Sequence, residues 1–287
     1  MKKEVLGILA GRGELPWICA RNAIAAGQEV RVFCITDEEP PEEFKSISVR
    51  VILTKLYSSV FRSFREYGAR RIILIGKATR DILYQKPRFD LRTILLLAKM
   101  TSQSDTSLFQ FVLKEFEKHG FTVLPQDTYL QNMYLPEGRY GKSLSKKEIE
   151  DISFGMVYAR EINRLDLGQT LVAAQLSVLA VECAEGTDQC IRRGGTLYHK
   201  KGAVVCKVAK VNHDKRFDLP VTGLSTLESM RESGCRVLAI ESGKTMVLNH
   251  KEFIKTAEKY KISIVSCNPD KSDVKTITKL CGKSVRL

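Results

Sequence analysis

Polar residues with the chemistry to act on a phosphate group are concentrated in the second half of the chain. Three segments place carboxylates beside cations or amides at the end of an apolar run, namely 164–169, 182–193 and 207–220. Hydrolysis of a phosphoanhydride needs this mixture, because carboxylates hold a divalent cation and orient water while cations and amides take up developing phosphate charge. The sequence therefore favours a hydrolytic phosphate site in this half.

Each of these segments also has a purely structural interpretation. Thr187 and Asp188 can cap the helix that follows them, and Asp166 can pair with Arg164. Asp218 stands between an aromatic residue and a Leu-Pro pair, and an acid confined by apolar neighbours is harder to explain as solvated surface. Asp218 is therefore the strongest single candidate for a chemical role.

A glycine-rich loop opens the chain. Residues 4–10 predict a buried strand, Gly11 and Gly13 follow it, and Pro16 suits the first turn of a helix. Such a loop lets a phosphate approach the N–H groups at a helix start, but Pro16 replaces the third glycine of a dinucleotide fingerprint. A ligand loop and a simple tight turn both stay open. Lys77, after the third predicted strand, either holds phosphate oxygens or lies in a solvated basic loop.

Composition narrows the class of protein. The chain has 287 residues, 44% of them hydrophobic, and no apolar run long enough for a membrane helix or a secretory signal. Its eight cysteines are scattered without a C-x-x-C pair, which favours free thiols in a reducing compartment. The net charge of +13 suits anionic partners or a solvated basic surface. With no recognisable nucleic-acid motif, nucleic acid is not expected as a partner.

The elements that must position these residues fall into two domains. Alternating strands and helices over 1–133, with one helix over 91–100, predict a Rossmann-like N-terminal domain with a parallel sheet. The segment 134–147, rich in Pro, Gly, Ser and Lys, is predicted to be a linker. A second α/β domain with a mixed sheet is expected over 148–268, followed by a basic tail over 269–287.

Five segments together resemble a known family. The chain is similar to the UDP-2,3-diacylglucosamine pyrophosphatases of lipid A biosynthesis, of the type found in alphaproteobacteria and several other Gram-negative lineages. The resemblance covers about residues 5–268. Its carriers are GILAGRGELP, LPEGRYGK, INRLDLGQ, AVECAEGTDQCIRR and KVNHDKRFDLPVTG.

The resemblance implies an activity and a set of site residues. The family hydrolyses UDP-2,3-diacylglucosamine to UMP and 2,3-diacylglucosamine 1-phosphate, depends on a divalent metal, typically Mg²⁺, and joins a Rossmann-like domain to a C-terminal α/β domain. Its catalytic aspartate corresponds to Asp218. The other motif positions, expected to face substrate or metal, are Gly11, Gly13, Gln169, Thr187 and Asp188.

These observations combine into one mechanistic hypothesis. Asp218, with Asp188 or Glu185, positions Mg²⁺ on the pyrophosphate, and a metal-held water attacks. Lys207 or Arg216 neutralises charge at the phosphate. Spacing alone leaves open which acid is a metal ligand and which is the base.

The resemblance also implies a partner and a location, and two alternative functions stay open. The partner is a lipid-linked UDP-sugar, and the protein is expected in the cytoplasm, peripheral to the inner membrane, where a basic protein is attracted to anionic lipid. The sequence also allows a homodimer. Residues 103–107 depart from the family pattern, keeping only Asp105 of its acids. The alternatives are a non-catalytic nucleotide-sugar-binding protein and a dinucleotide-dependent oxidoreductase, which the replaced third glycine disfavours.

Overall fold

The chain divides into two units, each built around its own β-sheet. A computed structural model describes residues 4–51, 56–77, 105–198, 202–210, 214–217, 219–282 and 284–285. The first unit extends to Gln131 and includes residues 214–217, and the second begins at Asn132. Within these residues, no helix is long and apolar enough to cross a membrane.

The sheet of the first unit is parallel throughout, which confirms the Rossmann-like prediction. Its spatial order is β3-β2-β1-β4-β5. Its strands are β1 (Val5–Ala10), β2 (Glu29–Cys34), β3 (Ser48–Arg50), β4 (Ala69–Ile75) and β5 (Thr122–Val123). The order reverses between β1 and β4, and the carboxyl ends of the strands beside such a reversal are where ligands bind in open α/β sheets.

Three helices of the described part pack against this sheet. They are α1 (Leu15–Ala25), α2 (Leu56–Glu66) and α3 (Asp105–Lys118). Pro16 lies in the first turn of α1, as predicted, where its missing N–H leaves no hydrogen bond unmade. The core between sheet and helices is aromatic, with Phe33 and Phe64 in an edge-to-face contact at 4.4 Å between ring centroids.

The second unit has a mixed sheet of six strands, as the sequence predicted. Its spatial order is β6-β13-β11-β9-β7-β8, with β13, β11 and β9 parallel and the other three antiparallel to their neighbours. Its strands are β6 (Gly138–Tyr140), β7 (Thr170–Ala174), β8 (Ser177–Val181), β9 (Val204–Lys207), β11 (Val237–Glu241) and β13 (Ser263–Cys267). Two further short strands, β10 (Val221–Thr222) and β12 (Met246–Val247), pair with each other.

Helices cover both faces of this sheet. They are α4 (Lys146–Arg164), α5 (Thr187–Leu197), α6 (Leu224–Ser233), α7 (His250–Lys259) and α8 (Val274–Cys281). The long helix α4 begins with a capping box, in which Ser145 and Glu148 satisfy each other's backbone N–H groups. Its buried stripe, including Ile152 and Met156, packs with Cys206 of β9 on one face of the sheet.

The segments predicted as a linker and a tail carry regular structure. The range 134–147 contains β6, which pairs antiparallel with β13, and the range 269–287 contains α8, whose Ile277 is buried against α4. Local composition could not show this, because the pairing partner of β6 lies far along the chain. The predicted helix over 91–100, and Gln103 and Ser104 of the variant motif, lie outside the described residues.

Candidate active site

The carboxyl edge of the second sheet brings polar residues together. The parallel strands β9 and β11 end at Lys207 and Glu241, and β7 begins at Thr170, directly opposite Lys207. All three residues are buried, with at most 6% of their surface exposed. Charged side chains are rarely buried to this degree without partners, so this edge is a candidate site.

Lys207 lies at one end of a chain of hydrogen bonds. Its Nζ donates to Oγ1 of Thr187, the first residue of α5, at 2.9 Å. The hydroxyl of Thr187 in turn donates to Oε1 of Glu182 at 2.8 Å. Oγ1 of Thr170 lies 3.4 Å from the same Thr187 hydroxyl oxygen. The structure therefore brings the predicted residues Lys207 and Thr187 into contact and adds Glu182, which the sequence hypothesis did not assign a role.

The backbone of Glu182 is held closely by its neighbours. Its N–H donates to the carbonyl of Thr170 at 2.8 Å. A Cβ on Gly168 would lie 2.8 Å from the Glu182 carbonyl carbon and closer still to its oxygen, so only glycine fits there. The next residue, Gln169, accepts the N–H of Val208 at 3.0 Å and so joins the turn after α4 to the end of β9.

The other two predicted acids of this segment have different surroundings. Glu185 accepts hydrogen bonds from Arg193 at 2.5 Å and from the N–H of Cys183 at 3.2 Å, and the bond from Arg193 is the main reason its pKa is lowered. Asp188 is half-buried in the first turn of α5, where a negative charge is favoured by the helix dipole. Its carboxylate has no hydrogen-bond partner among the described residues.

The opposite face of the same edge holds a buried ion-pair network. Arg160 of α4 donates to both carboxylate oxygens of Glu241, at 3.1 and 3.2 Å, and also to Asp270 at 2.9 Å. Oε2 of Glu241 accepts the N–H of Ala209 at 2.8 Å, and its other oxygen lies 2.7 Å from Nζ of Lys244. Glu241 therefore holds the chain immediately after β9 in place.

The glycine loop of the first unit is pressed against the end of β4. Gly11 donates to Ile75 at 2.8 Å, and Arg12 and Lys77 exchange two backbone hydrogen bonds of 2.9 Å. A Cβ on Gly11 would lie 2.7 Å from the Lys77 carbonyl oxygen, and one on Gly76 would lie 2.8 Å from the Gly11 carbonyl carbon. The glycine loop and the end of β4 therefore approach each other more closely than a side chain at Gly11 or Gly76 would allow.

An acidic side chain already contacts this loop. Gly13 has φ +97°, and its N–H donates to Oε2 of Glu38 at 3.4 Å. Oε1 of Glu38 also lies 3.9 Å from the guanidinium of Arg12. The N–H of Gly13 and the guanidinium of Arg12 thus both face a carboxylate. Like a phosphate group, a carboxylate is negatively charged and offers oxygen acceptors.

Of the remaining predicted residues, Arg216 falls in the first unit. Arg216 forms ion pairs with Asp214 at 2.7 Å and with Glu117 at 3.0 Å, and the hydrogen bond to Asp214 is the main reason its pKa is raised. The prediction placed Arg216 in the C-terminal domain, whereas residues 214–217 cluster with the first unit. Its neighbour Phe217 is buried in that unit's core. Asp218 lies outside the described residues.

The described acids do not by themselves form a metal site. No three His, Cys, Asp or Glu side chains converge in a metal-binding cluster within the ranges that the structure describes. Asp188 and Glu185 alone therefore do not make a Mg²⁺ site, and Asp218 does not lie in those ranges. The predicted metal site stays a prediction.

Taken together, these features define a class: a two-unit α/β protein with a glycine loop at the switch point of a Rossmann-like sheet and a buried lysine at a second strand end. The model of the LpxI N-terminal domain matches residues 5–133, and that of the LpxI C-terminal domain matches residues 136–265. The chain belongs to the LpxI family.

A full-length relative agrees with this membership. The UDP-2,3-diacylglucosamine pyrophosphatase LpxI of Caulobacter vibrioides is 30% identical over 276 residues, which cover 92% of this chain and 98% of the relative. The family suggested by the sequence motifs is thereby confirmed.

Proposed function

We propose that this protein hydrolyses the pyrophosphate bond of UDP-2,3-diacylglucosamine, giving UMP and 2,3-diacylglucosamine 1-phosphate. The observation that carries the proposal is the full-length similarity to a relative named for that pyrophosphatase activity. In the reaction, water forms a new bond to one phosphorus, the bridging P–O bond breaks, and a proton leaves the water. Lipid A synthesis is the pathway this reaction serves.

The carboxyl edge of the second sheet supports this chemistry. Lys207 is a buried cation, and a cation fixed in a site of low dielectric stabilises charge developing on phosphate oxygens. Thr187 holds Lys207 from the start of α5, where N–H groups and the helix dipole also favour an anion. In the proposal, Lys207 contacts the pyrophosphate and Asp188 lies beside it.

The glycine loop supports binding of an anionic group. Gly13 and Arg12 already face the carboxylate of Glu38, so a phosphate oxygen can take the same donors if Glu38 moves aside. Lys77, joined to Arg12 through the backbone, adds a second cation, and this one is exposed. We assign Gly11, Gly13 and Lys77 to substrate binding on this basis.

The family resemblance implies that the reaction depends on Mg²⁺, and we propose the same for this protein. When bound, it would supply charge neutralisation at the pyrophosphate and an acidified water. Asp218 and Asp188 are the acids proposed to hold it. The contact between Lys207 and Thr187 does not depend on it.

Peripheral binding to the inner membrane on its cytoplasmic side is the proposed location. Leu165 and Leu167 are 71% and 52% exposed in the turn that leads directly to Gln169, so an apolar surface lies next to the candidate site. Replacing both with serine should weaken flotation with vesicles of anionic phospholipid. Leu176, 54% exposed at the other end of β7, is the matched control, and equal loss from Leu176→Ser would contradict this assignment.

The proposal is tested by incubating the purified protein with UDP-2,3-diacylglucosamine, with and without Mg²⁺, and identifying the products by mass spectrometry. We expect UMP and the sugar 1-phosphate from the wild type. Asp218→Ala should abolish turnover while the circular dichroism spectrum and melting temperature stay unchanged. Near-normal turnover by that variant would remove Asp218 from the mechanism, and tight binding without any product would favour a non-catalytic binding protein.

A further inference from the structure

We propose that Glu182 is a positioning residue for the reaction, acting through the hydroxyl of Thr187 to hold the ammonium group of Lys207. The inference rests on the proposed function, because there Lys207 is the cation that meets the pyrophosphate. It extends that function to an acid that the spacing of residues in the sequence did not single out.

The hydrogen-bonding capacity of the three side chains fixes the direction of the chain. A lysine ammonium group can only donate, an ionised carboxylate can only accept, and a threonine hydroxyl has one hydrogen to give. Because Thr187 gives its hydrogen to Glu182 at 2.8 Å, it must accept from Lys207 at 2.9 Å. For the same reason Thr170, 3.4 Å away, can only donate to Thr187.

This arrangement makes the orientation of Lys207 depend on Glu182. Without an acceptor at the position of Glu182, the hydroxyl of Thr187 is free to rotate, and its lone pairs no longer point at Nζ of Lys207 in one fixed direction. The negative charge of Glu182 also lies one hydroxyl away from a lysine that is only 6% exposed. A buried cation is costly unless an opposite charge or hydrogen bonds compensate for it.

Glu182 itself has little freedom to move. Its N–H is bonded to Thr170, and its carbonyl group lies so close to Gly168 that a methyl group there would collide with it. A carboxylate on a backbone clamped from both sides can define the position of another group. Glu185, by contrast, is exposed and held by Arg193.

A further, independent observation concerns Oε2, the second carboxylate oxygen of Glu182. Oε2 is buried, and it has no hydrogen-bond partner within the described ranges. An unsatisfied buried acceptor is destabilising, and in natural proteins such a group commonly has a functional explanation. Here the unpaired oxygen belongs to the same carboxylate whose other oxygen accepts from Thr187.

The first test is kinetic and uses Glu182→Gln, which preserves size and can still accept from Thr187 but removes the charge. We expect kcat to fall about 10-fold, because Thr187 then donates to a neutral amide oxygen and Lys207 loses the nearby negative charge, with a smaller change in KM. Thr187→Ser should keep most of the activity, because it keeps the hydroxyl, whereas Thr187→Val should resemble Glu182→Gln. Glu232→Gln, an exposed glutamate that pairs with Arg192 of α5, is the matched control and should be unaffected.

A double-mutant cycle separates positioning from a general structural role. If Glu182 acts through Lys207, Glu182→Gln should cost little further activity in a Lys207→Met background, and the two losses should be clearly non-additive. Full additivity, or wild-type kcat in Glu182→Gln, would overturn the proposal. Melting temperatures of all variants identify any loss that comes from unfolding.

A third measurement does not need the reaction at all. Trace labelling of lysines with acetic anhydride, read by mass spectrometry, reports how firmly Nζ of Lys207 is held. Glu182→Gln should raise labelling at Lys207 several-fold, and Glu232→Gln should leave it unchanged. If the wild type released no UMP, the proposed function would fail, and this labelling would still decide the positioning claim: equal labelling in wild type and Glu182→Gln would refute it.

Discussion

Replacing Gly168 with alanine measures how strongly the turn after α4 is held against Glu182. The φ angle of Gly168 is not in the left-handed region, so its need for glycine is steric. The added methyl group would lie 2.8 Å from the carbonyl carbon of Glu182, whereas ordinary contact begins at 3.4 Å. The nearest atoms are the carbonyl oxygen and carbon of Glu182, so no side chain can rotate away to relieve the collision.

The loss of stability in Gly168→Ala depends on which atoms must move to make room for the methyl group. Overpacking of this kind costs about 1–3 kcal/mol, and we expect the upper end because backbone must shift. For a unit of this size, about 3 kcal/mol corresponds to a fall in melting temperature of about 6–12 °C. The shift also displaces Glu182, so kcat should fall together with stability.

Differential scanning calorimetry and a UMP-release assay at 20 °C check both effects. Gly223→Ala is the matched control in the same unit, because its added methyl group would meet only the flexible tip of Leu248, at 3.3 Å. It should cost less than about 1 kcal/mol. A melting temperature for Gly168→Ala as high as that of Gly223→Ala would refute the packing argument.

Three further predictions concern other parts of the molecule. Glu241→Ala leaves the buried Arg160 with only the exposed Asp270 as an acidic partner and should lower the free energy of unfolding by about 3 kcal/mol in urea titrations; a loss below about 1 kcal/mol would show that the network is solvated. Cys183, the one exposed thiol among the eight cysteines, should react with iodoacetamide at pH 8. Burial raises the pKa of Cys267 to about 12, so at pH 8 it stays a protonated thiol and should be labelled only after unfolding, which peptide mapping checks. Finally, EDTA should abolish UMP release and added Mg²⁺ should restore it, whereas undiminished release in EDTA would refute the metal requirement.

Much of the fold could be predicted because its signals are local. Apolar runs such as 4–10 and 71–76 are typical of buried parallel strands, and the stripe that includes Ile152 and Met156 recurs at helical spacing. The strand β6 could not be predicted in this way. It has three residues, and what makes them a strand is pairing with β13, which is more than a hundred positions away.

The candidate site was predictable in its region and less so in its contacts. Thr187 was expected at the site from the family resemblance, and Lys207 from its place in a polar segment after an apolar run. The structure brings Nζ of Lys207 within 2.9 Å of the Thr187 hydroxyl. Glu182 was missed because its role depends on the hairpin of β7 and β8, which carries it back to Thr170. Its position directly after the apolar run of β8 was the only local signal.

Glu241 was missed for a related reason. It ends the apolar run of β11, and its partner Arg160 lies 81 positions earlier in the chain. Arg160 follows Met156 by one helical turn, so helical spacing alone indicates that it lies beside the buried stripe. That both charges are buried together follows only from α4 packing on the sheet.

The central claim is that this chain hydrolyses UDP-2,3-diacylglucosamine. Incubation of the purified protein with that substrate in water enriched in oxygen-18, followed by mass spectrometry of the products, tests it most directly. We predict equal amounts of UMP and 2,3-diacylglucosamine 1-phosphate, with a solvent oxygen in the phosphate of one of them, and no turnover by Asp218→Ala. Intact substrate after prolonged incubation of the folded wild type with Mg²⁺ would contradict the account.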